Sequence, residues 1–449
     1  MRGVRSLIVL LVIAIALGWF TYRDSLKGPV DDSPAHEKLF TVEADKIDEL
    51  QIKSEAGERT TLRKKGTAWE IVQPAAAAPD EAAVSGITSN LASVEIQRVI
   101  EENASDLKEF GLVEPRIEVA FKSGGGQEQR LQIGQKTPSG SDVYAKLADQ
   151  KKVFLIPAHL ESTFNRGTFD LRDKSVLKLD LQKVDALEVT AAGRTIRFQK
   201  QNNEWQLTQP AAGRAEFSAV DGLVSRISGV QMRAVEPPDS PDSKKYGLDP
   251  PAATVRIGSG SSQATLVLGA AAASGDVYAK DLARPIVFTV EPALLEELKK
   301  DSSEYRQKDL FDARSFSATR LEVVRGQTAI AFEKAKVKDK DGKEEEKWRQ
   351  VLPAQRDVDA AKVEALITAI TSARATGFAD STAKTGLDKP ELTVSFKYDQ
   401  SKDDQGKDER VTFARSGESV HAARAGSPGA ATVDPAALDG IIKALEDIK

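Results

Sequence analysis

The side chains of this 449-residue chain that could do chemistry are few and widely spaced. Cysteine is absent, which removes disulfides, thiolate metal ligands, thiol nucleophiles and a lipidated-cysteine anchor together. The three histidines are His36, His159 and His421, and His159-Leu160-Glu161 has no second His at helical spacing. A zinc-type site needs several ligands to converge, and nothing in this spacing provides them. Gly258-Ser259-Gly260-Ser261 has the composition of a phosphate loop, but corresponding places hold Gly124-Gly125-Gly126 and a polar loop around Asp403 and Gly406. All three are expected to join strand to strand, whereas a phosphate cradle needs a helix amino terminus behind it. Asp339-Lys340-Asp341-Gly342 resembles part of a calcium loop, yet Val337 and Trp348 stand where acidic ligands would be required. No Gly-x-Ser-x-Gly elbow occurs in a strand-to-helix setting. The expectation is therefore no catalytic residue, no cofactor-binding residue, no cofactor and no metal ligand.

One recurring pattern has binding chemistry. Asp142-Val143-Tyr144-Ala145-Lys146 returns as Asp276-Val277-Tyr278-Ala279-Lys280, and in drifted form as Ser419-Val420-His421-Ala422-Ala423-Arg424. Tyr144 with Lys146, and Tyr278 with Lys280, stand two apart on a strand and so share a face. Such pairs could hold a carboxylate or a glycan on an exposed sheet. The simpler reading has the Tyr packing with its hydroxyl at the rim and the Lys in solvent.

The elements carrying these residues repeat. Trp69, Trp205 and Trp348 each precede a Pro by five residues, at Pro74, Pro210 and Pro353, and stand 136 and 143 residues apart. A Gly-Leu-x-x-Pro follows each, beginning at Gly111, Gly247 and Gly386. A period this long means whole domains rather than short solenoid units. The boundaries predicted are 39–178, 179–316 and 317–449.

Within each copy, alternating apolar residues (Leu50, Ile52 and Leu62 in the first) predict strands before the Trp strand. The turn before each Trp varies: Lys65-Gly66-Thr67, Gln201-Asn202-Asn203, and a charged insertion from Lys336 to Lys347. Variation in length there marks a solvent-facing hairpin tip. Val84, Ile87 and Leu91, then Val220, Leu223 and Ile227, then Val363, Leu366 and Ile370 have helical spacing. Asp80, Glu216 and Asp359 lie ahead of them, toward the positive end of each helix dipole. Later strands end at Pro157, Pro292 and Pro435, each expected to open a helix. Strands that follow strands, without alternating crossover helices, predict an α+β fold: hairpin-rich antiparallel sheets, each with one main amphipathic helix and a terminal helix.

Leu7 to Phe20 is an apolar run with Arg2 and Arg5 before it and Arg23 after it, within a stretch of 19 residues from Val4 to Tyr22. As a helix it would span ~28 Å, close to the thickness of a bilayer core. The reading is an uncleaved single-pass anchor over residues 1–23. Ala14-Ile15-Ala16 leaves a cleaved signal peptide as the alternative. Residues 24–38, polar and holding Pro29 and Pro34, read as a tether. The positive flank keeps the leader cytoplasmic, so the bulk would lie in the periplasm of a Gram-negative cell, held to the inner membrane. The net charge of -5 has no basic stripe, which excludes nucleic acid as an expected partner.

Taken in order, the apolar leader, Trp-x-x-x-x-Pro, Tyr246-Gly247-Leu248 with Pro251, the strand-end Gly134 and Gly269, Val-Tyr-Ala-Lys, and the trailing Arg172-Asp173-Lys174 and Arg306-Gln307-Lys308 resemble the bacterial domain-of-unknown-function 4340 family, in three tandem copies. The third copy has His421 for Tyr and lacks the Arg-x-Lys tail. The resemblance implies an auxiliary component of an ABC transporter of the gliding-motility type, with a permease or another envelope protein as partner. It brings no catalytic residues. The function expected is a non-enzymatic binding or scaffold protein. A cell-wall or polysaccharide-binding role is the alternative, and a hydrolase built on Asp142 or Asp276 with a distant acid is a third.

Overall fold

Strand alternation and helix periodicity in this sequence produce one arrangement three times. The computed structural model describes Trp19 and residues 37–448, apart from 237–242, 339–343, 380, 383 and 400–405. Apart from Trp19 the predicted anchor lies outside the described residues, as do nearly all of the predicted tether and residues 339–342. Among the described residues no helix is long and apolar enough to cross a membrane.

The first sheet has eight strands in the order Ala68–Gln73, Arg59–Lys65, Ile47–Lys53, Ile117–Ser123, Gln129–Lys136, Asp142–Leu147, Val153–Pro157 and Arg98–Glu101. Every pairing in it is antiparallel. The second and third sheets repeat this order and add a short strand beyond the Trp strand, Gly213–Arg214 and Arg356–Asp357, to give nine each. The fold is α+β, as strands that follow strands require.

One face of each sheet is covered by helices. Glu81–Ser93 buries Val84, Ile87 and Leu91; Phe217–Gly229 buries Val220, Leu223 and Ile227; Ala360–Thr371 buries Val363, Leu366 and Ile370. Helices this short are marginal alone in water. Each buried aliphatic contributes ~1.5–3 kcal/mol, so the apolar stripe holds them. The acidic residue ahead of each stripe is the N-cap. Asp80 accepts from the amides of Ala82 and Ala83, and Asp359 from Ala361, while Glu216 makes no side-chain cap bond. Pro292 and Pro435 open helices as expected. Pro157 instead ends a strand, and its helix begins at His159.

Two repeated motifs explain each other. Gly111 and Gly247 both turn at φ +65°, which brings the preceding carbonyl onto the ends of strands Gln129–Lys136 and Ser262–Ala271, where the amides of Gln135 and Ala270 bond to Phe110 and Tyr246. A Cβ on Gly134 would lie 2.1 Å from the Phe110 oxygen, and one on Gly269 would lie 2.2 Å from the Tyr246 oxygen. The strand-end glycine therefore exists to admit the turn. The peptide bonds before Pro74, Pro210 and Pro353 are all cis.

The chain divides into two units, residues 1–173 and 174–449. The first unit holds the first sheet. The second holds the other two.

Candidate functional site

The repeated Tyr and Lys residues sit on equivalent strands in different surroundings. Tyr144 is half-buried against Phe110, ring centroids 5.1 Å apart, and Tyr278 packs on Tyr246 at 4.7 Å. Lys146 is 6% exposed rather than solvated. Its ammonium donates to Gln132 Oε1 at 3.1 Å and to the carbonyls of Leu147 and Ala148 at 2.8 and 3.3 Å. Burial pushes its pKa down, partly offset by Asp149. In the second sheet Val267 stands opposite Lys280, where the first sheet has Gln132 opposite Lys146. Lys280 thus lacks that amide acceptor and is half-buried.

The Trp residues have a cation partner that sequence reasoning missed. Lys64, Lys200 and Lys334 pair directly opposite Trp69, Trp205 and Trp348. Their ammonium groups lie 5.9, 5.4 and 5.3 Å from the rings. Trp205 and Trp348 are buried at 1% and 3% exposure, whereas Trp69 is half-buried. The signal was a Lys five residues before the Trp in two copies, displaced in the third by the longer hairpin.

A cluster of charged side chains lies within the second unit, where its two sheets meet. Arg306, Gln307 and Lys308, the Arg-x-Lys tail, form the splint. The Gln307 amide donates to the Arg214 carbonyl at 2.9 Å, and the Lys308 carbonyl accepts from Ala375 at 2.8 Å. The Arg306 guanidinium stacks 4.4 Å from the ring of Phe378. The next residues dock through side chains. Asp312 receives Arg214 from the second sheet and Arg424 Nη2, at 2.7 Å, from the third. Arg424 also pairs with Glu409 at 3.1 Å. Glu409 accepts the amides of Asp312 and Ala313 at 2.9 and 2.8 Å.

Electrostatics follow from burial and partners. Burial alone would raise the Asp312 pKa, but the two guanidinium groups outweigh it and hold the carboxyl below its ordinary value. Burial raises the Glu409 pKa, with Asp312 adding to the effect, despite the two amides and Arg424. Cavities of about 70 and 290 Å³ flank Arg214, and both reach Gln307, whose buried Oε1 has no partner. The arrangement fixes the two sheets to each other.

Arg424 occupies the position of Asp281 in the second sheet and Leu147 in the first, opposite Val411, Leu266 and Leu131. Asp281 instead orients Arg284, at 3.0 Å, which donates to the carbonyls of Ser175 and Val176 within the same unit. The sequence signal was a polar residue following the Tyr-Ala-Lys pattern in the second and third copies alone.

No group of three or more His, Asp and Glu able to hold a metal occurs among the described residues. Asp142 begins a strand, and Asp276 directly precedes one, Val277–Asp281. Asp276 pairs with Arg233 at 3.6 Å.

No curated protein matches the chain. Among solved structures, a DNA polymerase sliding clamp from Pseudomonas aeruginosa with ligand is 8% identical, over 88% of this chain and 93% of that one, with a TM-score of 0.15. A DnaN sliding clamp (DNA polymerase III subunit beta) from Pseudomonas aeruginosa bound to griselimycin is 8% identical over 89% and 93%, with a TM-score of 0.13. Scores this low carry no argument. Residues 69–208 and 205–390 each match the Domain of unknown function (DUF4340). Each match begins at a repeated Trp, and together they span most of the chain: the protein belongs to the DUF4340 family.

Proposed function

We propose that this chain is a non-enzymatic binding or scaffold protein of the bacterial envelope. Its apolar leader holds it to the inner membrane as a single pass, and its three sheets stand in the periplasm. Its partner is the permease or another envelope component of a gliding-motility-type ABC transporter. The observation that carries the scaffold reading is the junction in the second unit. There Arg214, Asp312, Arg424 and Glu409 are spent on one another, joining two copies of the same module into one body. Such a construction holds surfaces at fixed positions. The leader's length and flanking charges support the placement.

Crosslinking in intact cells, followed by membrane fractionation and mass spectrometry, tests the reading. The expected result is full-length chain in the inner-membrane fraction, joined to a transporter permease or another envelope protein. Intact chain free in the cytosol, or membrane-bound chain with no such adduct, would overturn it. The polysaccharide-binding alternative rests on Tyr144, Tyr278 and Lys280, because Lys146 is committed to its own strand ends. Retention on peptidoglycan that Tyr144→Ala with Tyr278→Ala abolishes would favour that alternative.

A further inference from the structure

The outward faces of the first and third sheets are built on the same positions with different charges. In the first, Glu49 stands opposite Lys122 and bonds it at 3.0 Å, and Glu49 also holds Arg63 at 3.2 Å. Arg130 is held by Glu128 at 2.6 Å and by Glu118 at 3.5 Å. In the third sheet the place of Glu49 is taken by Arg320, and the place of Lys122 by Lys397, so two cations stand directly opposite. Like charges in that relation destabilise a sheet.

Arg320 is engaged by Glu333 at 3.0 Å and Glu322 at 3.3 Å. The exposed Lys397 ammonium bonds to no group among the described residues. Arg410 is exposed too, and its one side-chain bond is from Nε to Ser395 Oγ at 3.1 Å, which leaves both terminal nitrogens open. Lys397, Arg410, Arg320, Glu322 and Asp408 line one open groove of about 460 Å³. Asp408, opposite Lys397 on the far side, makes no ion pair with it among the described residues.

We propose that this groove binds an acidic segment of a partner protein in extended conformation, with carboxylates at alternate positions meeting Lys397 and Arg410. The two cations are diagonal neighbours on adjacent strands, a relation that separates side chains by ~7–8 Å. Alternate side chains of an extended peptide stand ~6.6 Å apart on one face. Two carboxylates so spaced reach both cations together, and the acceptors they bring offset the opposed charges of Arg320 and Lys397. The proposal rests on the reading of the chain as a binding protein and names the chemistry of what it binds. Its test needs neither membrane nor native partner, so its failure is separate from a failure of the crosslinking result.

The full chain, purified in detergent, is titrated against a fluorescein-labelled peptide of alternating Ala and Glu, with anisotropy as the readout. Saturable binding that weakens as salt is raised is expected. Lys397→Glu with Arg410→Glu lowers affinity at least tenfold, and Lys397→Gln and Arg410→Gln each lower it in part. Lys122→Gln, on the first sheet, leaves it unchanged. The single neutral substitutions on exposed side chains keep the test decisive if the charge-reversed form fails to fold. Absence of saturable binding, or affinity indifferent to both single variants, overturns the proposal. Binding of inorganic polyphosphate through these residues with none of the peptide also overturns it, and reassigns the groove to phosphate.

Discussion

The first and third sheets share a strand order and differ in what their charges do. In the first, charged groups are satisfied locally: Glu49 by Lys122 and Arg63, Lys146 by its own strand ends. In the third, Arg424 and Glu409 turn toward the incoming chain, and Lys397 and Arg410 face outward without carboxylate partners among the described residues. The repeated backbone sets the positions. The charge placed at each position decides whether it closes a sheet, docks the neighbouring copy or remains open to a ligand.

The sharpest way to break this contrast is Arg424→Ala. It leaves Glu409, whose side chain is 1% exposed, without its counter-charge. Loss of one partner of a buried pair costs about 3–5 kcal/mol, expected as a large drop in the denaturant midpoint of the second unit. Asp312→Asn should cost about 2 kcal/mol at neutral pH, the order of hydrogen bonds to charged groups. Because the Asp312 pKa is lowered on folding, its contribution is complete above the ordinary value of 3.8 and is lost as pH falls through the lowered folded value. The wild-type and variant stability curves should therefore converge in acid. A constant gap down to pH ~2 would show that Asp312 is not an ionised partner of the two arginines.

Lys146→Ala removes the ammonium that Gln132 Oε1 and the Ala148 carbonyl accept from, while the Leu147 carbonyl keeps the Gln150 amide, and should cost about 1–3 kcal/mol. Lys280→Ala, at the equivalent place, should stay within about 0.5 kcal/mol. Equal losses would mean that the Gln132-to-Val267 exchange does not separate the two copies. The smallest contrast lies on the outer faces. Lys122→Gln should lower stability by about 0.5–1 kcal/mol through its pair with Glu49. Lys397→Gln should change it by less than about 0.5 kcal/mol while weakening acidic-peptide binding. Thermal melts of both variants beside the peptide titration measure this pair.

Much of the fold was legible because its signals are local. The stripe Val84, Ile87 and Leu91 and the acidic residue ahead of it specify a capped helix facing the core, and the structure has one. Pro292 and Pro435 begin helices as their missing amide allows. Pro157 does not, and the strand keeps it, because the chain follows its pairing with Asp142 one residue further. The candidate site was less legible. Lys146 looked solvated in a list of residues, since nothing nearby in sequence places Gln132 within reach. Arg424 looked like drift in a weakened repeat, although it joins residues more than a hundred positions away.

By itself the sequence determined the repeat, the antiparallel sheet with its capped helix, and the positions of hairpin tips, since periodicity, capping and turn chemistry act over a few residues. Tertiary structure alone decided that Arg424, Glu409, Asp312 and Arg214 form one ion-pair junction, and that Lys397 and Arg410 remain open while Lys146 is enclosed. The reason is physical: the energy of a charge depends on which groups and how much solvent surround it. Here those surroundings come from strands and copies that the chain order keeps far apart.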